Sequence, residues 1–342
     1  MTAPTLDCAD PATLAARVED LLRARVPAAR DVTVSDPVRV FGGNARIAWA
    51  CDATWTVETS PADAPGGKHE EPLILLIRAA GSQVQTDPAR EFAALDGLAE
   101  RGVRAPRVWA HDPDGRVFGA PAVLLERLPG GADAVEYLSA NPALGRARTL
   151  DLARAAAELH IATPAPRPDE SQLTYWRERY EDSRLEPYPA LTWLFDWLED
   201  NTSEPEHFAL VHGDFRPGNV LYAGERIVGL LDWEMAHVGD PVEDIAWAYH
   251  ALWSPERFVP IEDFVAAYEA AGGPPVTEAR LRWNRIFCEV KYATISLQAA
   301  RSFLDGRSRN LRLIDRARTV IPSIQACLGW IAAAGHQEVR PC

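Results

Sequence analysis

Lysine is nearly absent from this chain of 342 residues. It occurs only at Lys68 and Lys291, so arginine supplies nearly all of the positive charge. The 35 basic residues are outnumbered by 49 acidic ones, which gives a net charge of −14. A chain this acidic has no general electrostatic reason to bind nucleic acid or an anionic membrane, because both surfaces are negative. We therefore expect no nucleic acid and no membrane among its partners.

Paired cysteines and long apolar runs are also missing. The five cysteines are scattered and none forms a CxxC pair, so the sequence predicts neither a disulfide framework nor a zinc site. Apolar runs such as Leu73 to Ile77 have the length of a strand and are too short to span a bilayer. The first ten residues lack a basic stretch followed by an apolar one, so we expect no signal peptide. The expected class is a cytoplasmic protein with reduced thiols.

The chain changes in character near Pro129-Gly130-Gly131. Before this point, short apolar stretches predict strands around one helix, and Thr59 to Glu71, rich in Pro, Gly and charge, is predicted as an exposed loop. After it, helical spacing of apolar residues dominates. The predicted helices include Val242 to Leu252, Glu278 to Leu304 and Leu313 to Ala334. The sequence thus predicts an α+β protein with a β-rich N-terminal lobe, residues 1–128, and a mainly helical C-terminal lobe, residues 129–342.

The residues with the clearest chemistry lie in a predicted hairpin of the second lobe. A polar loop after a short apolar strand contains Asp214 and, five residues later, Asn219; the next strand ends in Asp232. Phosphoryl transfer needs a carboxylate that accepts the proton of the attacking hydroxyl, and hard oxygen ligands that hold Mg²⁺ against the phosphates. These residue types match that need. The alternative is a buried hairpin whose polar residues only satisfy backbone groups.

The order His-Gly-Asp-x4-Asn followed by Asp-Trp-Glu resembles the aminoglycoside phosphotransferase and choline kinase family. Gly239-Asp240-Pro241 and Asp244 are also similar to that family, and the resemblance extends over roughly residues 33–305. It implies a two-lobed protein-kinase-like fold that uses ATP or GTP with Mg²⁺ to phosphorylate a small-molecule alcohol. The resemblance implies these roles: Asp214 as catalytic base, Asn219 and Asp232 as magnesium ligands, His212 as organiser of the loop, and Arg216 as a contact of the transferring phosphate. Asp240 and Asp244 are expected to brace this loop and cap the next helix.

The nucleotide side departs from the usual pattern of this fold. Gly42, Gly43 and Asn44 are predicted to form the turn over the phosphates, since missing side chains let backbone N–H groups approach; a plain hairpin turn is the alternative. The third strand carries no lysine. Arg78 is predicted to contact phosphate, with Glu91 as its partner, although the two could instead form a structural ion pair. The resemblance implies that backbone groups of the hinge, at Glu126 and Leu128, bind adenine.

Three acceptor classes remain open. The acidic segment 196–200 fits a cationic amino-alcohol such as an aminoglycoside, or is a solvated helix face. An apolar alcohol such as a macrolide is suggested by Trp176, Tyr180, Trp193 and Trp197, or these form core. The wording of the first lobe resembles the branch of the family fused to acyl-CoA-dehydrogenase-like proteins. It slightly favours a hydroxyacyl-CoA-like acceptor, whose polyanionic part could meet Arg301, Arg307, Arg309 and Arg312.

A function of another class is also open. Because the usual lysine is missing, the chain could be a catalytically degenerate kinase that only binds nucleotide. The intact Asp214, Asn219 and Asp232 favour an enzyme instead. The sequence gives no indication of the oligomeric state.

Overall fold

A computed structural model of the protein describes residues 10–40, 46–57, 67–78, 88–131, 134–202 and 205–338, without the side chains of residues 335–338. It contains two compact units, and each is described by itself. Unit 1 comprises Met1–Gly130 and Val228–Glu234, and unit 2 comprises Gly131–Ile227 and Met235–Cys342. Within the described ranges, no helix has both the length and the apolar character needed to cross a bilayer.

Unit 1 is built on an antiparallel sheet. Its elements are α1 (Pro11–Arg25), β1 (Ala29–Val34), β2 (Val38–Val40), β3 (Arg46–Val57), β4 (Lys68–Arg78), α2 (Pro88–Leu95), β5 (Val108–Asp112) and β6 (Ala122–Glu126). The strand order is β1-β3-β4-β6-β5, and β2 pairs with β3. The two longest strands, β3 and β4, pair from Arg46 opposite Arg78 to Thr56 opposite Lys68.

Side chains of this sheet alternate between two buried clusters. Leu73, Leu75 and Ile77 of β4 belong to the cluster that contains the apolar face of α1. On β6, Leu124 joins the same cluster, whereas its neighbours Val123 and Leu125 pack with Phe92 of α2. The alternation follows from the two-residue repeat of a strand, whose successive side chains point to opposite faces. Helices therefore cover both faces of the sheet.

Unit 2 is mainly helical. Its helices are α3 (Ala134–Ser139), α4 (Pro142–Ala162), α5 (Gln172–Ser183), α6 (Pro189–Asp200), α7 (Val242–Ala248), α8 (Ile261–Ala270), α9 (Glu278–Leu304), α10 (Leu311–Asp315) and α11 (Val320–Glu338). Its strands are β7 (Pro164–Ala165), β8 (Phe208–Val211), β9 (Val220–Ala223), β10 (Arg226–Leu230) and β11 (His237–Gly239). The chain of β10 runs on into unit 1. A three-stranded sheet has the order β11-β8-β7, and β9 pairs with β10.

Helix α9 is the central element of the unit 2 core. It is buried along most of its length, and Phe287, Val290 and Leu297 pack with the aromatic side chains of α5 and α6. Thr277 caps its N-terminus by accepting a hydrogen bond from the Arg280 N–H. A helix that is buried along most of its length is one that other elements surround. The polar residues of α9 that are nonetheless buried, Lys291 among them, therefore call for a specific reason.

The α+β class is confirmed, and three local predictions are wrong. The last residues of the predicted loop Thr59 to Glu71 belong to β4, which begins at Lys68. The charged residues at the start of this strand are exposed and pair with the end of β3. The helix predicted to reach Leu252 ends at Ala248. The predicted helix Leu313 to Ala334 is interrupted by a 3₁₀ turn, Arg316–Thr319, before α11 begins. Pro322 lacks a backbone N–H, so it is accommodated in the first turn of a new helix.

Candidate active site

The loop after β8 is held in shape by backbone contacts at Gly213. This glycine has φ 79°, and a Cβ placed on it would lie 2.2 Å from the carbonyl oxygen of Met235. The N–H groups of His212 and Gly213 donate to the carboxylate of Asp244, at 2.8 and 2.9 Å. Glycine is therefore required here for both its backbone conformation and the close approach of Met235.

Asp244 braces the loop from α7, as predicted. It is fully buried, and its carboxylate also contacts Nε2 of His160 at 3.1 Å. Asp240 accepts a hydrogen bond from the N–H of Val242 at 3.0 Å at the start of α7 and forms an ion pair with Arg280. Asp244 therefore braces the loop, whereas Asp240 contacts the start of α7 and residues of α9.

Three side chains donate to the carboxylate of Asp214. The indole Nε1 of Trp247 donates to Oδ1 at 2.6 Å, and Nδ2 of Asn219 donates to Oδ2 at 2.6 Å. Nε of Arg216 lies 3.1 and 3.3 Å from the two oxygens. An ionised carboxylate accepts hydrogen bonds only, and donors hold both oxygens of this one. Such a group can accept a proton from a bound hydroxyl.

The side chain of Arg216 turns back onto its own loop. Its Nε is occupied by Asp214, and its guanidinium lies over the ring of Trp253, 5.4 Å from the ring centroid. Arginine has five N–H donors in a planar fork. Contact between Nε and Asp214 therefore leaves donors at the two terminal nitrogens for an anion.

A buried ion pair between Lys291 and Glu243 contacts the loop at the carbonyl group of Gly213. Nζ of Lys291 donates to the carbonyl oxygen of Gly213 at 2.6 Å and to Oε1 of Glu243 at 2.7 Å. Oε2 of Glu243 contacts Nε2 of His237 at 3.1 Å. Burial alone would raise the pKa of Glu243, but Lys291 and then His237 outweigh it and lower the pKa to about 2. Lys291 is therefore a structural partner of the loop.

In unit 1, the ion pair of Glu91 is made with Arg46. Both side chains are largely buried, and Arg46 also lies 3.9 Å from Oδ1 of Asp232. Burial lowers the pKa of Arg46, but Glu91, Asp232 and Glu234 outweigh it, so the pKa is raised and the charge is stabilised. The sequence alone does not reveal Arg46 as the partner of Glu91, because the two residues lie 45 positions apart in the chain.

Arg78 lies next to this pair. It is the cross-strand partner of Arg46 between β3 and β4, and its charge acts on Glu91 more weakly than that of Arg46 does. A small cleft brings these side chains together, and its lining comprises Arg46, Leu76, Arg78, Pro88, Glu91, Phe92, Pro121 and Val123. Two guanidinium groups and one carboxylate at a cleft suit a polyanion such as a polyphosphate. The predicted Arg78 therefore stays a candidate, with Arg46 beside it.

The two predicted magnesium ligands differ in their surroundings. Asn219 uses Nδ2 for Asp214, and no hydrogen bond to its Oδ1 is recorded among the described residues. Asp232 has φ 68°, and only Asp31 shares a positive φ among the described non-glycine residues. Such strain in a polar residue is typical of functional sites. In the described ranges, no cluster of three or more His, Cys, Asp or Glu could hold a metal. Mg²⁺ needs no such cluster, because phosphates and water complete its shell.

The remaining predicted nucleotide contacts lie at the end of β6 or outside the described residues. The N–H of Glu126 donates to the carbonyl oxygen of Arg107 at 2.9 Å, and that of Arg127 to Pro72 at 2.8 Å. No hydrogen bond of the Leu128 N–H is recorded in the described part of the chain. Gly42, Gly43 and Asn44 lie outside the described residues.

The structure brings the predicted site residues together in two groups. The group in unit 2 comprises His212, Asp214, Arg216 and Asn219, and the group in unit 1 comprises Arg78, Glu91 and Asp232. It adds residues that the sequence analysis did not assign to the site: Arg46, Glu243, Trp247 and Lys291. The signal for Lys291 was its rarity, since it is one of two lysines and lies in an apolar stretch of helix.

A comparison with known protein families shows to which family the chain belongs. A model described as "Phosphotransferase enzyme family" matches residues 64–283, which is more than half of the chain. The chain belongs to this family. The predicted resemblance to aminoglycoside phosphotransferases and choline kinases is thereby confirmed. In this member of the phosphotransferase family, the matched range includes the Asp214 loop, Asp232 and Glu91, the ion-pair partner of Arg46.

Known proteins are similar to this family member over different lengths. "Acyl-CoA dehydrogenase family member 10" of Mus musculus is 27% identical over 236 residues, which are 63% of this chain. The chain spans about a fifth of that relative, since the match covers 21% of it.

Solved structures confirm the protein-kinase-like fold. A Ralstonia eutropha JMP134 protein, solved as a candidate aminoglycoside phosphotransferase, has a TM-score of 0.69 at 19% identity, covering 94% of this chain and 98% of that one. Aminoglycoside phosphotransferase APH(4)-Ia, in a ternary complex with AMP-PNP and hygromycin B, has a TM-score of 0.56 at 16% identity, covering 92% and 99%. At these identities, the likeness shows the fold of the phosphotransferase family.

Proposed function

We propose that the protein is a Mg²⁺-dependent kinase that transfers the γ-phosphoryl group of ATP to a hydroxyl of a small molecule. The observation that carries the proposal is the Asp214 carboxylate, whose two oxygens are held by Trp247, Arg216 and Asn219. Family membership supports it, and so does the complex of the related APH(4)-Ia with AMP-PNP. GTP is the alternative donor.

In the proposed reaction, Asp214 accepts the proton of the acceptor hydroxyl. The hydroxyl oxygen forms a bond to the γ-phosphorus while the bond from that phosphorus to the β–γ bridging oxygen breaks, and ADP leaves. A carboxylate has about four acceptor sites, and three donors already occupy the Asp214 carboxylate. The fixed orientation of the carboxylate limits the directions from which the hydroxyl can approach it. Orientation of this kind is a large part of catalysis in phosphoryl transfer.

The charged groups around the phosphates are proposed as follows. Asn219 through Oδ1 and Asp232 through its carboxylate each supply a ligand to Mg²⁺, which neutralises phosphate charge when bound. Arg78 and Arg46 contact the phosphates in unit 1, and Arg216 contacts the transferring group. Backbone groups of Glu126 and Leu128 bind adenine, and Gly42, Gly43 and Asn44 cover the phosphates.

For the acceptor, we propose a hydroxylated acyl compound first, because the relative in Mus musculus is named for the acyl-CoA dehydrogenase family. The structure weakens the support for the two other classes. Asp196 and Glu199 form exposed ion pairs with Arg177, as a solvated helix face does. Of the four aromatic residues, Trp176 and Tyr180 are buried in the core, Trp197 is partly buried and Trp193 is exposed.

The test is ADP formation from ATP and Mg²⁺ in the presence of hydroxyacyl-CoAs, amino-alcohols, aminoglycosides and macrolides. With the correct acceptor, Asp214→Asn should lower kcat by about 10²–10⁴-fold, the usual range for loss of a general base. Asp315→Asn, which changes an exposed carboxylate of the same unit, should leave kcat unchanged. Equal turnover by wild type and Asp214→Asn would remove Asp214 from the reaction.

A non-catalytic nucleotide-binding protein is the second candidate, favoured by one observation. Arg78, at the end of β4, stands where the family resemblance implies a lysine. Calorimetric titration with AMP-PNP and Mg²⁺ separates the two candidates when it is combined with the acceptor screen. Tight nucleotide binding with no ADP formation for any acceptor would favour the non-catalytic protein.

A further inference from the structure

Trp247 makes an unusual contact for a core tryptophan. Its side chain is buried, and its ring packs in the main apolar cluster of unit 2. A phenylalanine could fill the same apolar space. The indole N–H, however, donates to a side-chain carboxylate, Oδ1 of Asp214, at 2.6 Å. The N–H is therefore directed at the proposed base, 33 residues earlier in the chain.

The contact is short, as charge-assisted hydrogen bonds are, and such bonds are stronger than neutral ones. Because both groups are largely shielded from water, the bond is also stronger than it would be at the surface. It fixes Oδ1, whereas Nδ2 of Asn219 fixes Oδ2 at 2.6 Å. The two bonds together determine the rotation of the carboxylate and hence the direction in which its oxygens face the hydroxyl.

A cation lies against the ring of the same tryptophan. Nζ of Lys291 is 4.4 Å from the centroid of the Trp247 ring. An ammonium group over an indole attracts π electron density, which leaves the N–H more positive and a better donor to Asp214. Glu243 and the Gly213 carbonyl fix the ammonium in this position. The fixed ammonium group of Lys291 thus strengthens the indole N–H as a donor to Asp214.

We propose that Trp247 is a positioning residue of the phosphoryl-transfer site: its indole N–H orients the Asp214 carboxylate toward the acceptor hydroxyl. The inference rests on the proposed function, since Asp214 is the base only if the protein is a kinase. The hydrogen bond itself does not depend on that function and can be tested alone.

The first experiment observes the bond without turnover. In ¹⁵N-tryptophan-labelled protein, the indole signal of Trp247 is assigned with Trp247→Phe. A short bond to a carboxylate moves the indole proton far downfield, so we expect this signal to move upfield in Asp214→Ala and to move less in Asp214→Asn, which keeps an acceptor oxygen. A signal that stays in place in Asp214→Ala would overturn the proposal whatever the protein catalyses.

The second experiment measures the role of the bond in the reaction. Trp247→Phe keeps a ring and removes the N–H, so kcat should fall roughly 10–100-fold, as for loss of one hydrogen bond to a charged group. The KM for ATP should stay within about twofold, since no nucleotide contact is proposed for Trp247. Trp247→Ala should lose kcat and stability together, because it also empties the core.

Trp283→Phe is the matched control. It removes an indole N–H that donates to the Leu198 carbonyl oxygen at 3.0 Å, in the same unit and away from Asp214. Its kcat should equal that of the wild type. If Trp247→Phe loses no more kcat than Trp283→Phe while Asp214→Asn is inactive, the positioning role is wrong and the kinase proposal stands. If the wild type forms no ADP with any acceptor, the kinase proposal fails, and the indole signal alone reports on the bond.

Discussion

Each unit of the protein contains a buried glutamate that forms an ion pair with a basic side chain, and the two pairs differ in their other contacts. In unit 2, the side chains of Lys291 and Glu243 are 1% and 3% exposed, and their other contacts are groups of the protein. In unit 1, the side chain of Arg46 is 17% exposed and lies at a cleft with Arg78. The first pair fixes a loop, whereas the second lies at the cleft that is proposed to bind nucleotide phosphates.

The difference shows how the same interaction type serves two purposes. Burying an ion pair costs desolvation energy, which is recovered only where geometry and further hydrogen bonds are good. The Lys291–Glu243 pair has such bonds within the chain, so it acts on stability. The raised pKa of Arg46 depends on three carboxylates, those of Glu91, Asp232 and Glu234. A polyphosphate near Arg46 and Arg78 would add to that favourable potential, so this pair should act on binding.

Breaking the unit 2 pair gives the largest expected effect on stability. Lys291→Met leaves the Glu243 charge buried with only His237 as a partner, so the free energy of unfolding should fall by about 3–5 kcal/mol. Urea titration followed by tryptophan fluorescence measures it. The double variant Lys291→Met/Glu243→Gln should lose less than the two single changes added together, because neither charge is left alone. Additive losses would show that the two side chains act independently.

The pH dependence of stability sharpens the same point. The pKa of Glu243 is about 2 in the folded protein and about 4.5 in its ordinary state. A lowered pKa stabilises the folded state fully above pH 4.5, and this contribution is lost as the pH falls toward 2. Between pH 5 and pH 3, the advantage of wild type over Glu243→Gln should shrink by about 2 kcal/mol. The measurement is urea titration at both pH values, and a constant advantage would contradict the assignment.

The candidate catalytic loop could be recognised in the sequence because its parts are close along the chain. His212 to Asn219 span eight residues, and the order of residue types there is distinctive. Helix α9 was predicted with its observed bounds, Glu278–Leu304, because a long amphipathic pattern with a threonine cap is a strong signal. The residue types of the loop and the periodicity of the helix can both be recognised from residues that are neighbours in the sequence.

The supporting contacts could not be predicted, since they join distant positions. Lys291 reaches the Gly213 carbonyl oxygen across 78 residues, and Arg46 reaches Glu91 across 45. The pattern around Arg78 suggested a basic partner for Glu91, but several arginines of unit 1 could serve equally. Only the register of β3 and β4, which places Arg46 opposite Arg78, determines that both are near Glu91.

Nucleotide affinity tests the other side of the comparison, with a smaller expected effect. Arg78→Ala should raise the KM for ATP, and Arg78→Met and Arg46→Lys should each weaken AMP-PNP binding about tenfold, because each loses donors to phosphate. Their free energies of unfolding should stay within about 1 kcal/mol of the wild type. Calorimetric titration with Mg²⁺ measures the affinity. Arg116→Met, which removes an exposed arginine of the same unit, should bind as the wild type does. Unchanged affinity in both cleft variants would remove this cleft from the nucleotide site.

An exposed ion pair of unit 2 gives the smallest expected effect and isolates burial as the variable. Arg318 and Asp315 are 3.0 Å apart, as close as a buried pair, but their side chains are 82% and 64% exposed. Water already solvates both charges, so Arg318→Met should change the free energy of unfolding by less than about 0.5 kcal/mol. Urea titration beside Lys291→Met makes the comparison within one unit. A loss for Arg318→Met as large as that for Lys291→Met would mean that pairing alone, and not burial, sets the contribution of these charges.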